Sequence, residues 1–443
     1  MVFRRSECCL IVLLVFAGDS WAAPVVDRAI PVASVWAGHP VGFCLLTHAP
    51  WQFVAFYGAE RHMTVGARRL DSNAWRFEEL PERVGWDSHN YITMTVDDDE
   101  HLHLSGNLHV HPLKYFRTTK PLDIGSFERV PQMIGENELK TTYPRFFRGP
   151  GNQLLFTYRD GHSGDGNQIY NVYDHGTRTW RRLLDKPLLD GQGERNAYLN
   201  GPLRGPDGYW HLCWVWRETS DCATNHDPSY ARSKDLIHWE DSGGNPAGLP
   251  ITIRTGEIVD PVPVGGGVIN GNVKLGFDGE KRPVLAYHKY DAEGITQLYN
   301  ARLEAGVWRV YQSSDWDYRW EFGGGGAIPF EVRVEPLRFE EGVGLVQGWS
   351  HDRHGHQQWR LDTETLGPAE QLPLPAPRVP NELGKVRSDF PGMSVRFGYD
   401  SGQAGEAGIA YVLRWETLGA HRDRPRKKPW PEAVPLELYR IRR

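Results

Sequence analysis

Cysteine is scarce in this chain. Its 443 residues include 5, and Cys8 and Cys9 fall in an N-terminal stretch that reads as a leader. Cys44, Cys213 and Cys222 remain, an odd number that excludes a disulfide framework as the main support of so long a chain. Long apolar runs are also missing: after Cys8–Ala17, nothing approaches the roughly 18 uninterrupted apolar residues of a membrane-spanning helix. Positive charge is not in surplus. A formal net charge of -6 leaves no basic footprint for nucleic acid. Stretches rich in Ala, Leu, Glu and Lys are rare, which argues against a helical architecture.

The leader has three parts. Arg4 and Arg5 are its positive start, Cys8–Ala17 its short apolar middle, and Ser20 and Ala22 its small residues at signal-peptidase spacing. Residues 1–22 are therefore read as a signal peptide. The remainder, 23–443, is read as one secreted or periplasmic domain without membrane contact.

What the chain has in quantity is aromatics and turn formers: 17 Trp, 18 Tyr, 17 Phe, 48 Gly and 31 Pro. That mixture suits short strands joined by tight turns. His101–Val110, Gln153–Arg159, Tyr209–Arg217 and Pro283–Tyr290 each read as a strand behind a polar turn. An aromatic that opens or closes such units recurs at Trp75, Phe127, Trp180, Trp239, Trp308, Trp359 and Trp415, with gaps of 51 to 69 residues. A period near 50, with about four strands per unit, is the pattern of a propeller blade. The expected fold is all-β, a seven-bladed β-propeller. The segment from Ser233 to Trp239 looks like an Asp-box turn in which Ile237 replaces the usual Gly. Arg422–Lys428 reads as a solvated basic loop.

Two groups of residues could carry chemistry. His89 precedes a strand, His109 lies in an alternating segment, Tyr143 sits in TTYPRFF, and Arg159 ends a strand before a glycine-rich loop. Together they suffice for β-elimination on a uronic acid. A fixed guanidinium pairs with the carboxylate and stabilises the enolate-like transition state. His or Tyr removes the C5 proton, and a second protic group assists the leaving oxygen. An Arg beside the Tyr is expected to favour phenolate. The second group is His211, Cys213, Cys222 and His226, two imidazoles and two thiols within 16 residues. It suggests a tetrahedral structural zinc site. No organic cofactor is expected.

The segments HPVGFCLLT, WDSHNYITMTVDDDEHLHLSGNLHVHPLKYFR, TTYPRFFRG, FTYRDGHSGDGNQIYNVYD and HLCWVWRETSDCATNH resemble BNR-4-type propellers. That group includes ulvan lyases and rhamnosyl-glucuronate lyases. The resemblance runs over nearly the whole mature chain and is densest from Gly85 to Asp227. It implies a seven-bladed propeller that cleaves rhamnose–uronate linkages in an acidic polysaccharide. It implies a cleft of His89, His109, Tyr143 and Arg159, with Arg159 on the carboxylate and His and Tyr as base and acid in an order left open. It also supports zinc at His211–His226, and Tyr198 as a further substrate contact. Two other functions fit the same pattern: a sialidase- or rhamnosidase-like glycoside hydrolase, and a non-catalytic glycan-binding propeller.

Overall fold

The computed structural model describes residues 23–443, so the signal-peptide reading of 1–22 lies outside the described residues. The fold is all-β. Its strands form seven antiparallel sheets, and helical structure is confined to four short 3-10 turns among the described residues. No described helix is long and apolar enough to cross a membrane.

Each sheet is a meander with a leading strand at one edge, except that His109–His111 adds outside the leading strand of the third. In chain order the leading strands are Cys44–His48, Ile92–Val96, Thr141–Arg148, Asn196–Arg204, Lys274–Phe277, Val332–Val334 and Met393–Tyr399. Neighbouring sheets pack face to face, so the second strands are buried on both sides. This is why Trp51–Tyr57, Trp210–Arg217 and Pro283–Tyr290 are nearly continuous apolar runs rather than alternating ones. The outermost strands, such as Val307–Gln312, are largely exposed. Trp214 and Trp216 are fully buried between sheets, each contributing roughly 1.5–3 kcal/mol or more of hydrophobic stabilisation.

The first and last described strands share one sheet. Val25–Val35 pairs antiparallel with Val434–Arg442, which continues into Ile409–Leu418 and Met393–Tyr399.

The aromatic period locates most sheets but drifts at the end. Phe127, Trp180, Trp239 and Trp308 lie in the outer strands of four successive sheets, and Trp75 directly precedes such a strand. Trp359 instead lies in the third strand of its sheet and Trp415 in the second of its own. The expected strand His101–Val110 is two strands, Leu102–Gly106 and His109–His111, broken at Asn107 with its φ of 57°. That break lets His109–His111 leave its own sheet and pair with Thr141–Arg148 of the next. The Asp-box-like turn forms around Asp235, whose carboxylate accepts from the amides of Ile237 and His238.

Candidate functional site

Asp87 gathers the two histidines. It lies in the loop ahead of Ile92–Val96, where its Oδ1 accepts from the His89 amide at 2.9 Å and from His89 Nδ1 at 2.6 Å. Its Oδ2 accepts from His109 Nδ1. The imidazoles stack with centroids 4.1 Å apart, and His89 lies 5.5 Å from the Tyr143 ring. Burial alone would raise the Asp87 carboxyl. The hydrogen bonds from His109 and His89 outweigh it and hold the group far below the ordinary carboxylate range. An ionised carboxylate only accepts, so each Nδ1 carries its proton, which leaves Nε2 as the lone pair of the ring's Nδ1–H tautomer.

Tyr143 is aimed by a bulge. The pairing of Thr141–Arg148 with Leu154–His162 slips between Thr142 and Arg145, and Tyr143 takes a φ of 59°. Such a bulge re-aims a side chain out of the strand's alternation, and a left-handed tyrosine is a strained residue typical of functional sites. Burial, then Tyr198, raises the Tyr143 phenol well above its ordinary value, and the charges of Arg159 and Arg217 only partly oppose this. The expected phenolate is thus corrected: desolvation exceeds the effect of the guanidinium, and Tyr143 is a phenol.

Arg159 is present but recessed. It is 1% exposed and stands behind the two tyrosines, 5.0 Å from the Tyr143 ring and 5.9 Å from that of Tyr198. Its Nη2 donates to Thr142 Oγ1 at 3.2 Å and its Nη1 to the Tyr198 hydroxyl at 3.4 Å, while Nε has no partner. Tyr198 OH also meets Ser163 Oγ at 2.6 Å. The guanidinium that does line the cleft is Arg217, which sequence reasoning missed. It ends Trp210–Arg217, lies 5.3 Å from the Tyr198 ring, and donates to Thr219 O, Ser220 O and Asn270 Oδ1. Among the described residues neither arginine has a carboxylate partner. Two buried cations without a counter-ion, on either side of one tyrosine, make a ready anion site.

Asp423 was also missed. Arg422–Lys428 is not simply a solvated loop, because Asp423 turns inward from it. Asp423 Oδ1 accepts from the Ser88 amide at 2.9 Å, Ser88 Oγ at 2.8 Å and His39 Nε2 at 3.2 Å. Its Oδ2 accepts from the Ala327 amide at 2.7 Å and lies 3.5 Å from His89 Nδ1. Three loops far apart in sequence are thereby tied around the histidines. The cleft they bound holds about 270 Å³ and is lined by His89, His109, Tyr143, Tyr198, Arg217 and Asn270, with Ala327 and Phe330 opposite.

The expected zinc set does not assemble. His226 pairs across from Trp216, and His211 lies five residues away along that strand, roughly 16 Å at about 3.3 Å per residue. His211 Nδ1 meets Tyr230 OH at 2.6 Å and its Nε2 meets Asp207 at 2.9 Å. Cys213 is buried among Val215, Tyr230 and Val259. Cys222 borders the cleft, and His226 is held by Glu218 and Asp227 at 2.7 and 3.0 Å. These residues do not fit a shared metal. His211 instead repeats an arrangement found two sheets earlier, where His103 joins Asp97 at 3.0 Å and Tyr115 OH at 2.7 Å. Both are second-strand histidines linking a turn aspartate to a third-strand tyrosine. Among the described residues, ligand-type side chains converge only at Asp87, His89 and His109, where hydrogen bonding accounts for their closeness.

A family model described as "BNR repeat-containing family member" matches residues 51–316. No curated protein matches the chain. Among solved structures, polysaccharide lyase Uly1 aligns with a TM-score of 0.59 at 14% identity, covering 94% of this chain and 99% of that one. A PL25 ulvan lyase bound to -[GlcA(1-4)Rha3S]- aligns with a TM-score of 0.58 at 13% identity, covering 89% and 97%. At such identities the likeness speaks to the fold.

Proposed function

Since the chain belongs to the BNR repeat-containing family, we propose that it is a seven-bladed β-propeller polysaccharide lyase, cleaving rhamnose–uronate linkages of an acidic glycan by β-elimination. The ring is supported by contacts between leading strands. Met393–Tyr399 meets Cys44–His48, which meets Ile92–Val96, which meets Thr141–Arg148. Arg145 then donates to Gly201 O, Asn200 to Val273 O, and Asn272 to Val332 O. Arg333 of Val332–Val334 and Arg396 of Met393–Tyr399 come within electrostatic reach of each other, which supports a ring.

The observation that carries the chemistry is a cleft that holds Arg217, without a carboxylate partner, together with a carboxylate-bound histidine pair and a buried phenol. In this reading the uronate carboxylate seats on Arg217 and the Tyr198 hydroxyl, with Arg159 adding its charge from behind Tyr198. Those charges stabilise the negative charge that develops on the carboxylate as the C5 proton leaves. Nε2 of His89 or His109 takes that proton, and Asp87 stabilises the imidazolium formed. The C5–H electrons become the C4–C5 double bond, the C4–O bond breaks, and Tyr143 gives its proton to the departing oxygen. The phenol state of Tyr143 fits the acid's role, and the Nδ1-protonated histidines fit the base's. Structural neighbours described as polysaccharide lyases, one bound to a glucuronate–rhamnose sulfate repeat, support the substrate class.

The test is incubation with ulvan and other uronate polymers while following ultraviolet absorbance of the unsaturated uronate. Absorbance rising together with new chain ends supports the lyase. New reducing ends without the chromophore indicate a hydrolase, and binding without cleavage indicates a lectin; either result overturns the reading.

A further inference from the structure

Beyond the catalytic cleft, further cavities continue between the leading strands. One of about 280 Å³ shares Tyr143, Tyr198 and Asn270 with the cleft and adds Arg145 and Gly271. Another, of about 380 Å³, shares Gly271 and is lined by Lys274, Arg333, Glu335, Ser350 and His356. Cations line these cavities from the leading strands of three sheets, Arg145 from Thr141–Arg148, Lys274 from Lys274–Phe277 and Arg333 from Val332–Val334, and Arg396 of Met393–Tyr399 lies within electrostatic reach of Arg333. Among the described residues none of the four forms an ion pair. Arg145 donates to Gly201 O at 2.8 Å and Lys274 Nζ to Gly271 O at 2.6 Å, both uncharged acceptors. Glu335, the acid lining the larger cavity, sits against the Gly348 backbone.

The chain as a whole is acidic, with a net charge of -6, so this concentration of positive charge runs against its composition. Like charges held together repel, and partial burial adds a desolvation cost. Lys274 is half-buried, and burial lowers it, with Cys213 opposing and the Arg333 charge adding to the shift. Arg396 is exposed at the surface, and its packing environment and then the Arg333 charge lower it, so the repulsion links Lys274, Arg333 and Arg396. A bound anion would offset the repulsion.

We propose that the cavity lined by Lys274, Arg333, Ser350 and His356 is an anion site, taking a tetrahedral dianion such as inorganic sulfate or phosphate, with Arg396 adding to its field. Lys274 supplies a compact charge, Arg333 a forked pair of donors, and Ser350 a hydroxyl. The site is separate from the catalytic cleft, and its occupancy does not depend on the lyase reading.

Titration calorimetry of the whole protein with sodium sulfate, and separately with sodium phosphate, tests this at constant ionic strength set with sodium chloride. Saturable binding of at least one of the two is expected, weakened at least tenfold in Arg333→Gln and further in Lys274→Gln/Arg333→Gln. Arg396→Gln, placed beside the cavity, is expected to weaken it less. Thermal unfolding read alongside separates this from the general stabilisation that sulfate gives by exclusion, which does not saturate and is shared by every variant. No saturable binding in the wild type, or equal affinity in the folded Arg333→Gln protein, overturns the proposal. Should the double variant fail to fold, the single substitutions carry the same comparison.

Discussion

Asp87 binds two imidazoles through the same kind of bond, and each bond uses the nitrogen that would otherwise be free to exchange tautomers. An amide at this position keeps the size but has one acceptor oxygen and loses the charge. Asp87→Asn is therefore expected to leave the fold intact and lower kcat on the order of 10²–10⁴-fold, with a smaller change in KM. Steady-state kinetics and nitrogen-15 shifts of the two histidines check this. A variant with unchanged turnover, or with both rings still Nδ1-protonated, counts against the role. The same logic gives a different outcome at His211. Its ring links Asp207 to Tyr230 in a fully buried position, so His211→Ala strands two polar groups and is expected to cost about 2–4 kcal/mol in urea unfolding. A chelator, in contrast, is expected to leave the wild-type unfolding midpoint unchanged, as no zinc is needed to hold this strand.

The loop carrying Asp423, between Ile409–Leu418 and Val434–Arg442, shows how one connection can set the shape of a distant site. Burial would raise Asp423; the hydrogen bond from His39, those from Ser88 and the charge of His89 overcome this and hold it at about 2, below the ordinary 3.8. The stabilisation is thus fully present above pH 3.8 and is lost as pH falls through about 2. It amounts to about 2 kcal/mol. Asp423→Asn is expected to flatten the acid limb of stability between these pH values and to loosen His89, measurable by denaturation at stepped pH; an acid limb identical to wild type would refute this. Nothing in the sequence announces this contact, because Asp423 lies among basic residues and 335 positions from Ser88. The strands were legible from composition because burial on both faces leaves uninterrupted apolar runs. His89, His109, Tyr143 and Arg159 were legible as a group and Tyr198 as a further contact, and the structure brings all but the recessed Arg159 to the lining of one cleft. The break at Asn107 and the bulge at Tyr143 were not, since both depend on backbone angles that tertiary pairing imposes. Asp87 was within reach: an aspartate two residues before a loop histidine is a common turn partner. The zinc reading failed because proximity in sequence across a hairpin is not proximity in space.

At the scale of the molecule, the first and last described strands complete one sheet, so its integrity bears on the sheets packed against it. Val25–Val35 covers the edge of Val434–Arg442 and buries Ile30 and Val35 at 1% and 0% exposure. This makes the sheet's formation wait for the most distant strand pairing among the described residues, and such pairings carry the largest loop-closure cost. The same sheet anchors the Asp423 loop on its other side, through Ile409–Leu418 and Val434–Arg442. Loosening Val25–Val35 should therefore reach the cleft around His89 without touching it. Ile30→Ala is expected to cost about 2–5 kcal/mol and, under mild denaturant, to raise hydrogen exchange first in Val434–Arg442 and in the loop around Asp423. Activity on a uronate polymer is expected to fall at denaturant concentrations below the global unfolding transition. If activity and global fluorescence are instead lost together in both wild type and Ile30→Ala, the fold opens as a single unit and Val25–Val35 has no separate influence on the cleft.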